Sequence, residues 1–214
     1  MKQLYNKVDK KSIAEMERVL FDGKIVVVQS QREAESAVKY LLEQDILGFD
    51  TETRPSFRKG VEYKVSLVQC ASRDMCFLFR LNLIGMPDCL IKLLEDLTVP
   101  KVGLSLKDDF NQLHKRAGFT PGDFYELQQY VKTFGIEDQS LQKLYANVFG
   151  RKISKGQRLT NWEAPILTEA QKKYAATDAW ACIMLYEELE RLRASNDYEI
   201  IKMVEPEEVP AENN

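Results

Sequence analysis

Asp50 and Glu52 stand one residue apart at the end of an apolar run, Ile46-Leu47-Gly48-Phe49, that reads as a buried strand. Side chains in a strand alternate faces, so the two carboxylates leave it on the same side. Paired acids repel, and burying them costs free energy unless a cation lies between them. A divalent metal ion is the usual solution. Acid-x-acid pairs are also common by chance, so this pair alone assigns nothing.

Two further acids have the spacing to join it. In Lys107-Asp108-Asp109-Phe110-Asn111-Gln112-Leu113, a helix opens directly after a strand. Residues three and four apart share a helix face. Asp109 therefore falls with Leu113 and near Ala117, the face that packs on a sheet, whereas Asp108 falls with Gln112 and Lys115 and either caps the helix or meets water. Asp109 could also act as a cap or answer the helix dipole, which favours anions at that end. Later, Tyr174 and Asp178 lie along the stripe of Ala181, Leu185 and Leu189, the buried side of a long helix. A hydroxyl hydrogen-bonded to a buried acid is an ordinary core pair. Convergence of several acids on one place weakens that plainer reading. Trp162 stands near Arg151, Lys152, Lys155 and Arg158. An aromatic among cations suits stacking on bases and contact with phosphates, and an apolar plug under a solvated loop is the equal alternative. His114 falls on a polar part of its helix and reads as surface.

The elements that must position these groups follow from periodicity. Ser12 to Leu20 reads as a short leading helix and Ile25 to Val28 as a first strand. Ser30 and Glu33 form a capping box before a helix that runs to about Glu43. The next strand ends at Asp50, and Arg54 to Gly60 is a loop punctuated by proline and glycine. Lys64 to Ala71 and Met75 to Phe79 read as a hairpin joined by Ser72-Arg73-Asp74. Met86 to Leu97 reads as helix, and Val102, Leu104 and Leu106 alternate as a short strand before a helix through Ala117. A short helix spans Leu141 to Phe149, and Thr168 with Gln171 caps the last helix, which runs to about Arg193. This order predicts one α/β layer with a mixed sheet, and sites in such sheets gather where strands end.

Bulk properties narrow the class. At 214 residues the chain fits one domain. The formal charge of −3 provides no global basic field. Glu205, Glu207, Glu208 and Glu212 crowd the last eleven residues, and removing those four charges turns −3 into +1. A polyanion would have to be held by local basic loops or by metal. Cys70, Cys76, Cys89 and Cys182 have no zinc or C-x-x-C spacing and read as reduced core residues. No secretory signal or membrane-length apolar run is legible. A cytoplasmic protein is expected, with no membrane partner. Residues 1–23 read as an N-terminal extension with a short helix, 24–195 as the functional domain, and 196–214 as an acidic, disordered tail.

Taken in order, Asp50-x-Glu52, Val102-Gly103 with Asp109, Asn161-Trp162 and Tyr174-x-x-x-Asp178 resemble the DEDD superfamily of 3′–5′ exonucleases, in its tyrosine subclass. The segments Asp50 to Phe57, Lys64 to Gln69 and Leu167 to Ala179 are similar to the Werner-syndrome-type exonuclease domain and its ribonuclease D relatives. The resemblance spans about Lys24 to Leu192. The histidine subclass carries its histidine five residues before the last aspartate, and Lys173 occupies that place here. Between the tryptophan and the final helix, ribonuclease D enzymes commonly carry an arginine. This chain has Glu163-Ala164-Pro165-Ile166, closer to Werner-type sequences.

The resemblance implies a ribonuclease H-like fold, a mixed, mostly parallel central sheet flanked by helices. It implies metal-dependent release of nucleoside 5′-monophosphates from a 3′ end, with DNA slightly favoured and RNA trimming as the alternative. A catalytically silent nucleic-acid-binding protein on the same fold is the reading from another class. Asp50, Glu52, Asp109 and Asp178 match the ligands of two divalent ions, and Tyr174 matches the residue that orients the attacking water. Hard oxygen ligands suit Mg²⁺ or Mn²⁺. The implied partner is nucleic acid with a single-stranded or recessed 3′ end. Thr51, Lys155, Arg158 and Trp162 are its expected contacts.

Overall fold

The computed structural model describes residues 1–203. The glutamate-rich stretch from Val204 onward, expected to be disordered, lies outside the described residues.

Eight strands and eight helices make up these residues. They are β1 (Lys2–Tyr5), α1 (Lys10–Glu15), β2 (Lys24–Val28), α2 (Gln31–Leu41), β3 (Leu47–Thr53), β4 (Val65–Ala71), β5 (Met75–Arg80), α3 (Leu81–Ile84), α4 (Asp88–Glu95), β6 (Lys101–Gly103), α5 (Leu106–Leu113), β7 (Phe124–Glu126), α6 (Leu127–Lys132), α7 (Leu141–Phe149), α8 (Glu169–Ser195) and β8 (Tyr198–Ile201). Six strands form one sheet in the order β2-β5-β4-β3-β6-β7. Only β4 runs against its neighbours, pairing antiparallel with β3 and β5, while the other pairings are parallel. The mixed, mostly parallel sheet and its inserted hairpin are as the sequence predicts.

Each face of the sheet has its own core. Leu47, Phe49, Val68, Cys70, Phe77 and Phe79 pack against α2, α4 and α5. On the opposite face Leu67, Ala71, Cys76 and Leu78 meet Ala175, Ala176 and Ala179 of α8. Gly48 makes this second contact possible. A Cβ there would fall 1.9 Å from the Ala179 carbonyl oxygen, so α8 lies directly on the backbone of β3.

Local signals explain most boundaries. At the start of α8, Thr168 and Gln171 form the reciprocal box. At α2, Ser30 accepts from the Glu33 amide, but the Glu33 carboxylate reaches past it to the Gln29 amide at 2.7 Å. Strand β3 continues through Glu52 to Thr53 rather than ending at Asp50, because β4 keeps pairing with it. Leu106 belongs to α5 and not to the preceding strand, and α1 stops at Glu15. Part of the expected tail is structured: Tyr198–Ile201 pairs parallel with Lys2–Tyr5, joining the two ends of the described chain in a two-stranded sheet. All four cysteines are free, three of them buried. Among the described residues no helix is long and apolar enough to cross a membrane.

Candidate active site

Gly48, Asp50 and Glu52 alternate onto the α8 face of β3, while Phe49 and Thr51 take the other. Asp178 reaches the same place from α8, one residue before Ala179, whose carbonyl contacts Gly48. One carboxylate oxygen each from Asp50, Glu52 and Asp178 lies within 4.8 Å of the others. Glu52 and Asp178 are buried, at 8% exposure each. Asp109 arrives from the opposite face, on α5, and is tied in by the Thr51 hydroxyl, which donates to its Oδ1 at 2.5 Å. The four acids, Thr51, Tyr174, Lys155 and Arg158 line one cleft of about 370 Å³. Asp108 is exposed, as helical spacing predicts.

The electrostatics of this cleft are those of uncompensated burial. Loss of solvent pushes the Asp50 carboxyl well above its usual range, and the neighbouring Asp178 adds to it. Burial, then Asp50, Asp178 and Asp109, raise Glu52 to about 10, with Arg158 opposing weakly. Asp109 is raised to about 8 by burial and then by Asp50, and the Thr51 hydrogen bond holds it back. Asp178 is raised to about 7 by burial, against the Tyr174 hydroxyl and Lys155. The Tyr174 hydroxyl is itself pushed up, by burial and by Asp178. Such shifts cluster where a site needs them.

A divalent cation fits this donor set. Among the described residues none of the four acids has a salt-bridge partner, and Asp178 Oδ1 is buried without a hydrogen bond. Hard carboxylate oxygens converge there, and among the described residues Lys155 and Arg158 line the cleft without forming an ion pair to them.

Trp162 departs from the expectation. It is completely buried, so it is not a platform for bases. Its ring packs at 6.1 Å from that of Tyr174, in the core under the start of α8. The Gln171 amide fixes this turn by donating to the Asn161 carbonyl and to Thr160 Oγ1. The tryptophan is the apolar plug, and it braces the tyrosine.

One contributor is not legible in the sequence. The Glu126 carboxylate accepts from the amides of Ser105 and Leu106, at 3.0 and 2.7 Å, at the start of the helix that carries Asp109. Ser105 is held there in the left-handed region, at φ 65°. Glu126 ends a three-residue strand some twenty residues downstream, and no local pattern marks it.

Comparison with known proteins decides the family. The family model described as 3′–5′ exonuclease matches residues 25–193, most of the chain. The chain belongs to the 3′–5′ exonuclease family. Its relatives include the mouse bifunctional 3′–5′ exonuclease/ATP-dependent helicase WRN, 34% identical over 158 residues, covering 71% of this chain and 11% of that protein. A 3′–5′ exonuclease of Arabidopsis thaliana is 36% identical over 152 residues, covering 68% of this chain and 53% of that one. The chain thus spans about half of one relative and a small part of the other. Among solved structures, the Nibbler EXO domain of Aedes aegypti superposes with a TM-score of 0.74 at 20% identity, covering 82% of this chain and 91% of that one. Escherichia coli RNase D gives 0.70 at 20% identity, with 78% and 46% covered. These structures share the ribonuclease H-like fold of this exonuclease family member.

Proposed function

We propose that this protein is a metal-dependent 3′–5′ exonuclease that hydrolyses terminal phosphodiester bonds and releases nucleoside 5′-monophosphates. The observation that carries the reading is the meeting of Asp50, Glu52 and Asp178 within 4.8 Å, with Asp109 and Tyr174 in the same cleft. Asp50, Glu52, Asp109 and Asp178 would hold two divalent ions, Mg²⁺ or Mn²⁺. Such a pair supplies an acidified water and a counter-charge for the departing oxygen.

The chain's own residues supply the rest. The Tyr174 hydroxyl, packed between Trp162 and Asp178, is placed to hydrogen-bond the attacking water as its proton leaves. Lys155 and Arg158 line the cleft and draw in the substrate phosphates, which suits a body with no bulk positive charge. Thr51 serves the site by holding Asp109.

DNA is the favoured substrate, on the strength of Glu163-Ala164-Pro165-Ile166 between the tryptophan and the last helix. RNA trimming is the second reading, favoured by likeness of fold to RNase D of Trypanosoma brucei solved with RNA U12, at a TM-score of 0.68 and 21% identity. Retention of all five site residue types argues against a silent binding protein.

The deciding experiment offers 5′-labelled DNA and RNA oligomers, with free and blocked 3′ ends, to the wild type and to Asp50→Asn and Asp178→Asn. Metal-dependent shortening from free 3′ ends is expected, with a loss of at least ~10²–10³ in rate in either variant, the scale for one charge stabiliser. Near-normal rates in the variants would overturn the assignment.

A further inference from the structure

Gln69 is fully buried in the centre of the sheet, and neither its carboxamide nitrogen nor its carboxamide oxygen has a hydrogen-bond partner. Buried carboxamides are ordinarily satisfied, so an orphan of this kind calls for a function. The strand register says which one. Gln69 lies directly across from Asp50 on β3 and from Leu78 on β5. Directly opposed residues share a face with Cβ atoms about 5 Å apart, well within reach of a glutamine side chain. Along its own strand the same-face neighbours are Leu67 and Ala71, and above them lie the alanines of α8. Of the four side chains directly beside Gln69, Asp50 alone is polar. Glu52 is its diagonal neighbour.

We propose that Gln69 is a positioning residue for Asp50, donating from its carboxamide to that carboxylate across one bridging water, and so orienting it toward a divalent cation. The inference rests on the metal-dependent reading of the site. Carboxylate ligands are held by hydrogen bonds of their own, and losing such a support typically weakens metal affinity by 10–100-fold. A glutamine suits the task because it donates without adding a charge to a crowded anionic pocket. The small side chains of Ala175, Ala176 and Ala179 keep apolar bulk away from the pair.

The test is calorimetric titration of Mn²⁺ into the metal-free wild type, Gln69→Met and Gln69→Leu, with the metal-free melting temperature of each. Methionine matches glutamine in length and leaves no orphaned amide, so the metal-free variant should melt at or above the wild type. Its Mn²⁺ Kd should rise on the order of tenfold, and saturating Mn²⁺ should recover much of the lost kcat. An Mn²⁺ Kd within twofold of wild type in a folded variant would overturn the proposal. Failure of both variants to fold would also overturn it, making Gln69 a core residue only. A wild type that binds no Mn²⁺ would instead defeat the functional reading on which this one rests.

Discussion

The Thr51 hydroxyl and the Asp109 carboxylate are joined at 2.5 Å on the α5 face of β3, and this bond ties Asp109 to the strand that carries Asp50 and Glu52. Asp50, Glu52 and Asp178 occupy the α8 face, whereas Asp109 comes from the α5 side. Thr51 points to that side because it alternates with its two acidic neighbours. The Asp-x-Glu spacing therefore does double duty, directing two ligands one way and a tether the other.

Thr51→Val keeps the shape and removes the donor. It should cost about 1 kcal/mol of stability, the usual net value of such a bond, and should push the Asp109 carboxyl higher than its present value of about 8. Exonuclease rate should fall more than stability does. Thermal melting beside a single-turnover assay checks both, and a rate equal to wild type would remove Thr51 from the machinery.

Tyr174→Phe separates bracing from chemistry. The ring would still pack on Trp162, so the fold should melt within a few degrees of wild type. The rate should fall, by less than the loss from Asp50→Asn, because a hydrogen bond that orients the attacking water contributes beside the charge stabilisation rather than replacing it. An unchanged rate would reduce the tyrosine to a core residue.

Crowded carboxylates also make the metal-free protein sensitive to cations. Anything that binds the native state alone raises its melting temperature, and here it also relieves the repulsion among Asp50, Glu52 and Asp178. Mg²⁺ or Mn²⁺ should raise Tm, and by more at pH 8 than at pH 6, since protons compete for the same oxygens. Melting curves at both pH values with and without metal check this. Curves indifferent to metal would count against the site.

Much of this arrangement was legible in the chain itself, for reasons that differ by residue. Asp50, Glu52, Asp109, Tyr174 and Asp178 sit in regular elements, where period two or 3.6 decides which way a side chain points. Trp162 sits in a turn, where no period operates, so a stacking platform and an apolar plug suit its sequence equally, and its complete burial makes it the plug. Glu126 and Gln69 carry no local signal, because their roles depend on register and on contacts between distant strands. β1, β7 and β8 carry no legible pattern for a similar cause. Each has only three or four residues, and the pairing of Lys2–Tyr5 with Tyr198–Ile201 is set by the whole fold rather than by local pattern.

That pairing gives the fold an acid-sensitive clasp. Lys2 on β1 donates to Glu188 of α8 at 2.5 Å, and Arg191 donates to both oxygens of the same carboxylate. The Arg191 hydrogen bonds first, and Lys2 after them, lower the Glu188 carboxyl from 4.5 to about 2. A carboxyl depressed in the folded state binds fewer protons there than in the unfolded chain. Its contribution is complete above the unfolded value near 4.5 and is lost as pH falls through about 2. Glu188→Gln should therefore lower Tm at neutral pH, and the gap from wild type should close progressively between pH 4.5 and 2. Melting temperatures taken across that range, in low salt, check the sign as well as the window. A gap independent of pH would mean that Glu188 stabilises the clasp by packing, with its charge contributing nothing.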